Sequence, residues 1–220
     1  MSEIGEGLRR AAEVMDRVRA DCVWSQQMTH EKLVPYLTEE AAEVIEAVES
    51  GSAAELREEL GDLLWQVLFH SAVSDEFTID DVAGDLADKM TRRHPHVFAG
   101  ETAETSDRVL ELWNAAKADE KRERTSVLDG IPAGMPALAR AQKVLGKGEK
   151  VGAGLEFAEE ILAAEALEAA GEEELLPASE EELGEALLAL VALARVRGWD
   201  AERALRGRTR DVAEEIRAAE

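Results

Sequence analysis

The stretch Ser52-Ala53-Ala54-Glu55-Leu56-Arg57-Glu58-Glu59-Leu60-Gly61-Asp62-Leu63-Leu64-Trp65-Gln66-Val67-Leu68-Phe69 reads as one helix. Ser52 and Glu55 have capping-box spacing, in which a serine hydroxyl and a glutamate carboxylate each satisfy a free N–H at the helix start. Leu56, Leu60, Leu63, Leu64, Trp65, Val67, Leu68 and Phe69 leave almost no direction of this helix free of apolar side chains, which predicts a largely buried element. Glu59 and Asp62, one turn apart on it, are then carboxylates at or near a core, where a charge requires a partner. The nearest cation in sequence, Arg57, points elsewhere on the helical wheel.

Working outward, the same start signal recurs at Ser179 with Glu182 and, in a weaker version, at Thr78 with Asp81. Few aromatics, few prolines and abundant Ala, Leu and Glu favour helix throughout, so the fold class is all-α. The apolar periodicity predicts helices near 6–20, 30–49, 53–74, 79–93, 106–123, 136–147, 157–169, 180–197 and 201–218. The breakers in Gly130-Ile131-Pro132-Ala133-Gly134-Met135-Pro136 mark a junction, and Gly146, Gly148, Gly152 and Gly154 loosen the chain again. The expected organisation is a helical domain over 1–130, a linker and connecting helix over 131–155, and a second helical domain over 156–220. An internal repeat crosses the junction: Glu59-Leu60-Gly61-Asp62-Leu63-Leu64 recurs as Glu182-Leu183-Gly184-Glu185-Ala186-Leu187, and Glu39-Glu40 as Glu159-Glu160.

Upstream, Glu39, Glu40 and Glu43 share a face about 100° wide, with Val44, Ile45 and Val48 opposite. Alone, that is an ordinary solvated acidic face. Set beside Glu59 and Asp62, it places hard oxygen donors on two helices, which suits Mg²⁺ or Mn²⁺; a salt-bridged structural cluster is the competing reading. A di-iron carboxylate bundle needs Glu-x-x-His, which this sequence lacks. His70, near Asp62 on the wheel, reads as a satisfied core histidine.

Lys89, Arg92 and Arg93 form a positive patch directly before His94-Pro95-His96, where the proline ends the helix. Cations at a helix C-terminus are a common compensation of its dipole, and equally they could clamp a phosphate. Trp113 and Lys117, one turn apart, present an aromatic plane and a cation together; they could stack a base and hold a phosphate, or simply pack. The net charge of −23 argues against nucleic acid and against an anionic membrane as partners. The lone Cys22 cannot form an intramolecular disulfide, and the charged first twenty residues hold no apolar signal-peptide core, so a reducing cytoplasm is the expected compartment. The longest apolar run, Leu187 to Ala194, is cut by Arg195 and is too short to span a bilayer.

In their order and spacing, Trp24, then Pro35-Tyr36-Leu37-Thr38-Glu39-Glu40-Ala41-Ala42-Glu43, then Glu58-Glu59-Leu60-Gly61-Asp62-Leu63-Leu64, then Arg92-Arg93-His94-Pro95-His96-Val97-Phe98 resemble the MazG family of all-α nucleoside triphosphate pyrophosphohydrolases. The resemblance covers nearly the whole chain, as a tandem MazG protein. It implies tandem helical bundles, with a four-helix-type active unit completed by dimerisation into a homodimer. It also implies Mg²⁺-dependent hydrolysis of a nucleoside triphosphate to the monophosphate and pyrophosphate, and a house-cleaning role against non-standard nucleotides. The family's E-E-x-x-E and E-x-x-D motif maps onto Glu39, Glu40, Glu43, Glu59 and Asp62, its basic cluster onto Lys89, Arg92 and Arg93, and its later Trp and Lys onto Trp113 and Lys117. Family members often carry Cys-Pro-Trp-Asp and then Gln-Thr-His; here these read Cys22-Val23-Trp24-Ser25 and Met28-Thr29-His30, so no role carries over to Ser25 or Met28.

From these residues the expected site has Glu40, Glu43, Glu59 and Asp62 holding Mg²⁺, with Mn²⁺ as the alternative, and Glu39 as the base, Glu39 and Glu40 being the catalytic pair. Lys89, Arg92, Arg93 and Lys117 neutralise the leaving pyrophosphate, while Trp113 or Trp24 stacks the base without selecting it. In the second copy Ala163 replaces Glu43, Glu185 replaces Asp62, and Glu214 and Glu215 stand where Arg92 and Arg93 do, so that copy is expected to be structural. The alternative function is a non-catalytic acidic helical scaffold or partner-binding module.

Overall fold

The structure, a computed structural model, describes residues 5–152 and 177–220. The predicted helix over 157–169, together with Glu159, Glu160 and Ala163 of the repeat, lies outside the described residues. The chain divides into two compact units, Met1–Glu120 and Lys121–Glu220. Every described element is helical, and no helix among the described residues is long and apolar enough to cross a membrane.

The first unit contains α1 (Glu6–Asp21), the short α2 (Val23–Gln26), α3 (His30–Ser50), α4 (Ala53–Val73), α5 (Ile79–Arg93), the short α6 (Pro95–Phe98) and α7 (Ser106–Asp119). Its helix starts follow from the caps. Ser52 N donates to Glu55 Oε2 at 2.6 Å while Glu55 N donates to Ser52 Oγ at 3.3 Å. Thr78 and Asp81 complete the same reciprocal box at 2.8 and 3.3 Å, so aspartate there serves as well as glutamate. Ser25, buried, donates from its hydroxyl to Val18 and Cys22 carbonyls at 2.7 and 2.9 Å and closes the turn from α1 into α2.

The core of this unit is Met15 of α1, Leu33 of α3, and Leu68 and Phe69 of α4. α4 packs on α3, α1 and α5, and these neighbours do not enclose it, so it is less buried than its composition predicts: Leu60 is 50% exposed and Val67 38%. On α3 the prediction of the packed side also changes. Leu33 and Ala47 are buried and Val44 half-buried, whereas Val48 is 65% exposed. Hydrophobicity alone mistook Ile45 and Val48 for the packing face, because the hairpin register with α4 turns Glu40, Val44 and Ala47 inward instead.

Two contacts fix that hairpin. At its turn, Gly51 lies so close to the end of α3 that a Cβ there would sit 2.8 Å from Ala47 Cα and 2.9 Å from its carbonyl oxygen. At the other end, His30 Nδ1 meets His70 Nδ1 at 2.9 Å, the rings stacked at 5.2 Å. His70 therefore has a partner, as a core histidine should, but its buried Nε2 has none among the described residues.

The second unit contains α8 (Ala137–Gly148), a 3-10 turn (Glu149–Val151), α9 (Glu180–Val196) and α10 (Ala201–Ala219). Leu145, Val191 and Ala192 form its core. Gln142 joins α8 to the α9–α10 turn, donating to the Trp199 carbonyl at 2.7 Å and accepting from Ala201 N at 3.1 Å. Arg195 grips Glu149 through two bonds of 2.6 Å.

Two stability predictions follow from the hairpin contacts. Gly51→Ala is expected to lower stability by about 1–3 kcal/mol, since helix backbone rather than a flexible side chain must give way; urea unfolding would measure it. For the histidines, burial and then the His30 charge push the His70 pKa below its ordinary value. A depressed folded pKa gives stability that is present above the unfolded value, about 6.5, and is lost as pH falls through the folded one. Thermal melts between pH 8 and 5 should therefore show an acid loss in the native chain that His70→Gln flattens.

Candidate functional site

The α3–α4 hairpin brings Glu40, Glu43 and Glu59 together, with one carboxylate oxygen of each lying within 4.8 Å of the others. Glu40 and Glu59 are half-buried, and Glu43 is exposed. This group is the only one of its kind among the described residues. Asp62, exposed on α4, adds its field to both Glu40 and Glu59. Glu39, one residue away on α3, is exposed and is not among the groups acting on Glu40. An acidic cleft of about 320 Å³ continues from the cluster along Glu43, Glu46, Ser50, Glu55 and Glu59.

The electrostatics of this cluster are unbalanced. Desolvation, then Asp62 and Glu43, pushes the Glu40 carboxyl above its ordinary range. Desolvation, then Glu43, Asp62, Glu58 and Glu55, does the same to Glu59. No lysine or arginine is among the groups acting on either. Ligand oxygens around a magnesium ion at about 2.1 Å are separated by roughly 3 to 4.2 Å, so small side-chain rotations suffice to close this set on one ion. Hard oxygen donors, their spacing and the lack of a described lysine or arginine acting on Glu40 or Glu59 all fit a divalent cation.

The cations lie in a separate grouping. Arg93 donates to Glu120 Oε2 from Nη2 at 2.5 Å and from Nε at 3.1 Å, and its guanidinium lies 5.1 Å from the centre of the Trp113 ring. Arg92 approaches the same carboxylate at 3.6 Å. His94 meets Trp113 edge-on at 5.1 Å. These contacts fasten the end of α5 to α7, so Arg92 and Arg93 have an internal anion and Trp113 has Arg93 and His94 as packing partners. Lys89 and Lys117 are half-buried on α5 and α7. Trp24, 49% exposed, stands edge-on to Tyr36 at 5.8 Å and tilted to Phe69 at 6.0 Å.

Sequence reasoning missed two residues here. Glu120 is the counter-ion of the arginines, and a lone glutamate after a helix gives no signal of that. Gln66, 5% exposed on α4, donates from Nε2 to Glu40 Oε1 at 3.4 Å; the available signal was its position one turn after Asp62 on the same face.

The family model described as MazG nucleotide pyrophosphohydrolase domain matches residues 28–98, from just before α3 to the end of α6. A nucleoside triphosphate pyrophosphohydrolase of Escherichia coli is 38% identical over 215 residues, covering 89% of this chain and 80% of that protein. One from Mycobacterium tuberculosis is 47% identical over 156 residues, covering 69% of this chain and 47% of that protein. The chain thus spans about half the length of its mycobacterial relatives. Among solved structures, a mazG-related protein from Thermotoga maritima is 27% identical, with a TM-score of 0.45, covering 50% of this chain and 97% of that one.

The acidic cluster makes a testable demand. A raised folded carboxyl pKa gives stability that is present below the ordinary glutamate value and is lost as pH rises through the folded one. Glu59→Gln is therefore expected to raise the melting temperature of metal-free protein at pH 7.5, with the gain vanishing by about pH 4. The same variant should lose the stabilisation that Mn²⁺ gives the native chain; melts with and without chelator would show both.

Proposed function

The chain belongs to the MazG family, and from that premise we propose that it is a nucleoside triphosphate pyrophosphohydrolase, converting a nucleoside triphosphate and water to the monophosphate and pyrophosphate. The observation that carries this reading is the convergence of Glu40, Glu43 and Glu59, with no lysine or arginine among the described groups acting on Glu40 or Glu59. Glu40, Glu43, Glu59 and Asp62 would hold Mg²⁺, or Mn²⁺ in its place. When bound, such an ion supplies Lewis-acid neutralisation of phosphate oxygens and makes water a better nucleophile at neutral pH.

The chain's own residues have the remaining roles. Glu39, exposed beside the cluster, orients the attacking water and takes its proton. Lys89, Arg92, Arg93 and Lys117 offset charge on the departing pyrophosphate, where stabilising the transition state is most useful. Trp24 or Trp113 offers a ring to the base, and stacking accepts any base because each has a π-face. Such tolerance agrees with a house-cleaning role in the cytoplasm. Exposed Ile45, Val48, Leu60 and Val67 on α3 and α4 support completion of the unit in a homodimer. The second unit is non-catalytic in this reading.

The test is turnover of a panel of canonical and oxidised nucleoside triphosphates with Mg²⁺, resolving monophosphate from diphosphate products. Glu43→Ala should reduce the rate by at least about a hundredfold, beyond the usual loss from an outer-shell change. Glu182→Ala, at a cap of α9, should leave it within about twofold, since losing a cap contact costs only about 1 kcal/mol of stability. Absence of turnover with every nucleotide and divalent metal would favour the acidic scaffold instead.

A further inference from the structure

Gln66 is the residue of α4 that packing explains least. It is 5% exposed, its Nε2 donates to Glu40 Oε1 at 3.4 Å, and no described group donates to its buried Oε1. Turning the amide over would set its oxygen against a carboxylate oxygen, so the donor orientation is the one the chemistry requires. The bond is long and therefore weak, while a buried amide oxygen left unpaired is unfavourable. Methionine, equally unbranched, fills a similar space with no such defect. On stability alone, position 66 favours an apolar residue.

We propose that Gln66 is a positioning residue of the carboxylate site. By holding one oxygen of Glu40, it limits rotation of that carboxylate and keeps it converged with Glu43 and Glu59. Three like charges left to themselves rotate apart, and a neutral donor is the one kind of neighbour that restrains Glu40 without supplying the counter-charge the site reserves for its ion. Gln66 acts through Glu40 and touches no reacting atom. The inference rests on the reading of Glu40, Glu43 and Glu59 as a divalent-cation site.

The experiment is Mn²⁺ binding to the full chain, followed by electron paramagnetic resonance of the free ion, with metal-free melting temperatures measured alongside. For Gln66→Met the expected result is a melting temperature equal to or above that of the native chain, with Mn²⁺ affinity weakened about 10- to 100-fold, the range for removing an outer-shell partner. The Mg²⁺ concentration giving half-maximal turnover should rise by a similar factor, with the nucleotide KM at saturating Mg²⁺ unchanged. Native affinity in Gln66→Met, or a loss of binding that only follows a loss of stability, overturns the proposal. Gln66→Leu serves should Gln66→Met not fold, and failure of both to fold would assign Gln66 to the core and likewise overturn it. Glu43→Gln separates the premise: if it binds Mn²⁺ as the native chain does, or if the native chain binds none, the cation-site reading itself falls, and the proposal with it.

Discussion

The gathering of partly desolvated, mutually repelling carboxylates on α3 and α4 is the constraint that the first unit must accommodate. Glu40, Glu43 and Glu59 converge, no lysine or arginine is among the described groups acting on Glu40 or Glu59, and Asp62 raises both. Left to itself, such a hairpin would splay. It is held because both of its ends are fixed: the tight Gly51 turn with its Ser52 cap at one end, the His30–His70 contact at the other. Met15, Leu33, Leu68 and Phe69 close the core alongside. In the proposed reading, the cluster is destabilised while metal-free and relieved by a cation, the usual compromise between stability and function.

The arginines illustrate the opposite arrangement. Arg93 is paired with Glu120 and stacked on Trp113, and Arg92 shares the same carboxylate. A guanidinium fork matches phosphate as well as it matches carboxylate, so any anionic ligand reaching these arginines competes with Glu120. Their present geometry fastens α7 to α5, and a role in phosphate binding would be added to that fastening.

What could be read in the sequence was whatever is local. Ser52, Thr78 and Ser179 marked helix starts because capping chemistry spans only three residues, and α4, α5 and α9 begin where those residues place them. Glu40, Glu43 and Glu59, which the fold brings together, stood out in the sequence through the resemblance to the family's motif, since their spacing alone reads as an ordinary acidic face. The sidedness of α3 was not: it depends on its register with α4, which no single-helix wheel contains, and so Val48 was expected inside and lies outside. His30 with His70 and Arg93 with Glu120 are separated by tens of residues, and nothing in their local sequence links them. Gln66 was legible only as one polar letter in an apolar run, and its meaning came from the carboxylate on the neighbouring helix.

The second unit sharpens the reading of the first through contrast in one kind of side chain. α9 begins, like α4, with a serine cap and a glutamate three residues on, so the local instructions for the helix are retained. A different carboxylate of this unit shows the other way a glutamate can be used. Glu149 faces Arg195, whose bonds pull its carboxyl below the ordinary range, whereas Glu40 and Glu59 are pushed above it. A carboxylate stabilised in its charged form by an arginine needs nothing more and fastens helices. A carboxyl raised by desolvation and by neighbouring carboxylates is disfavoured in its charged form, a cost that a bound cation would relieve. Among the described residues, glutamates of the two units thus show opposite electrostatics: Glu149 is held in its charged form by Arg195, while Glu40 and Glu59 are raised by burial and by neighbouring carboxylates.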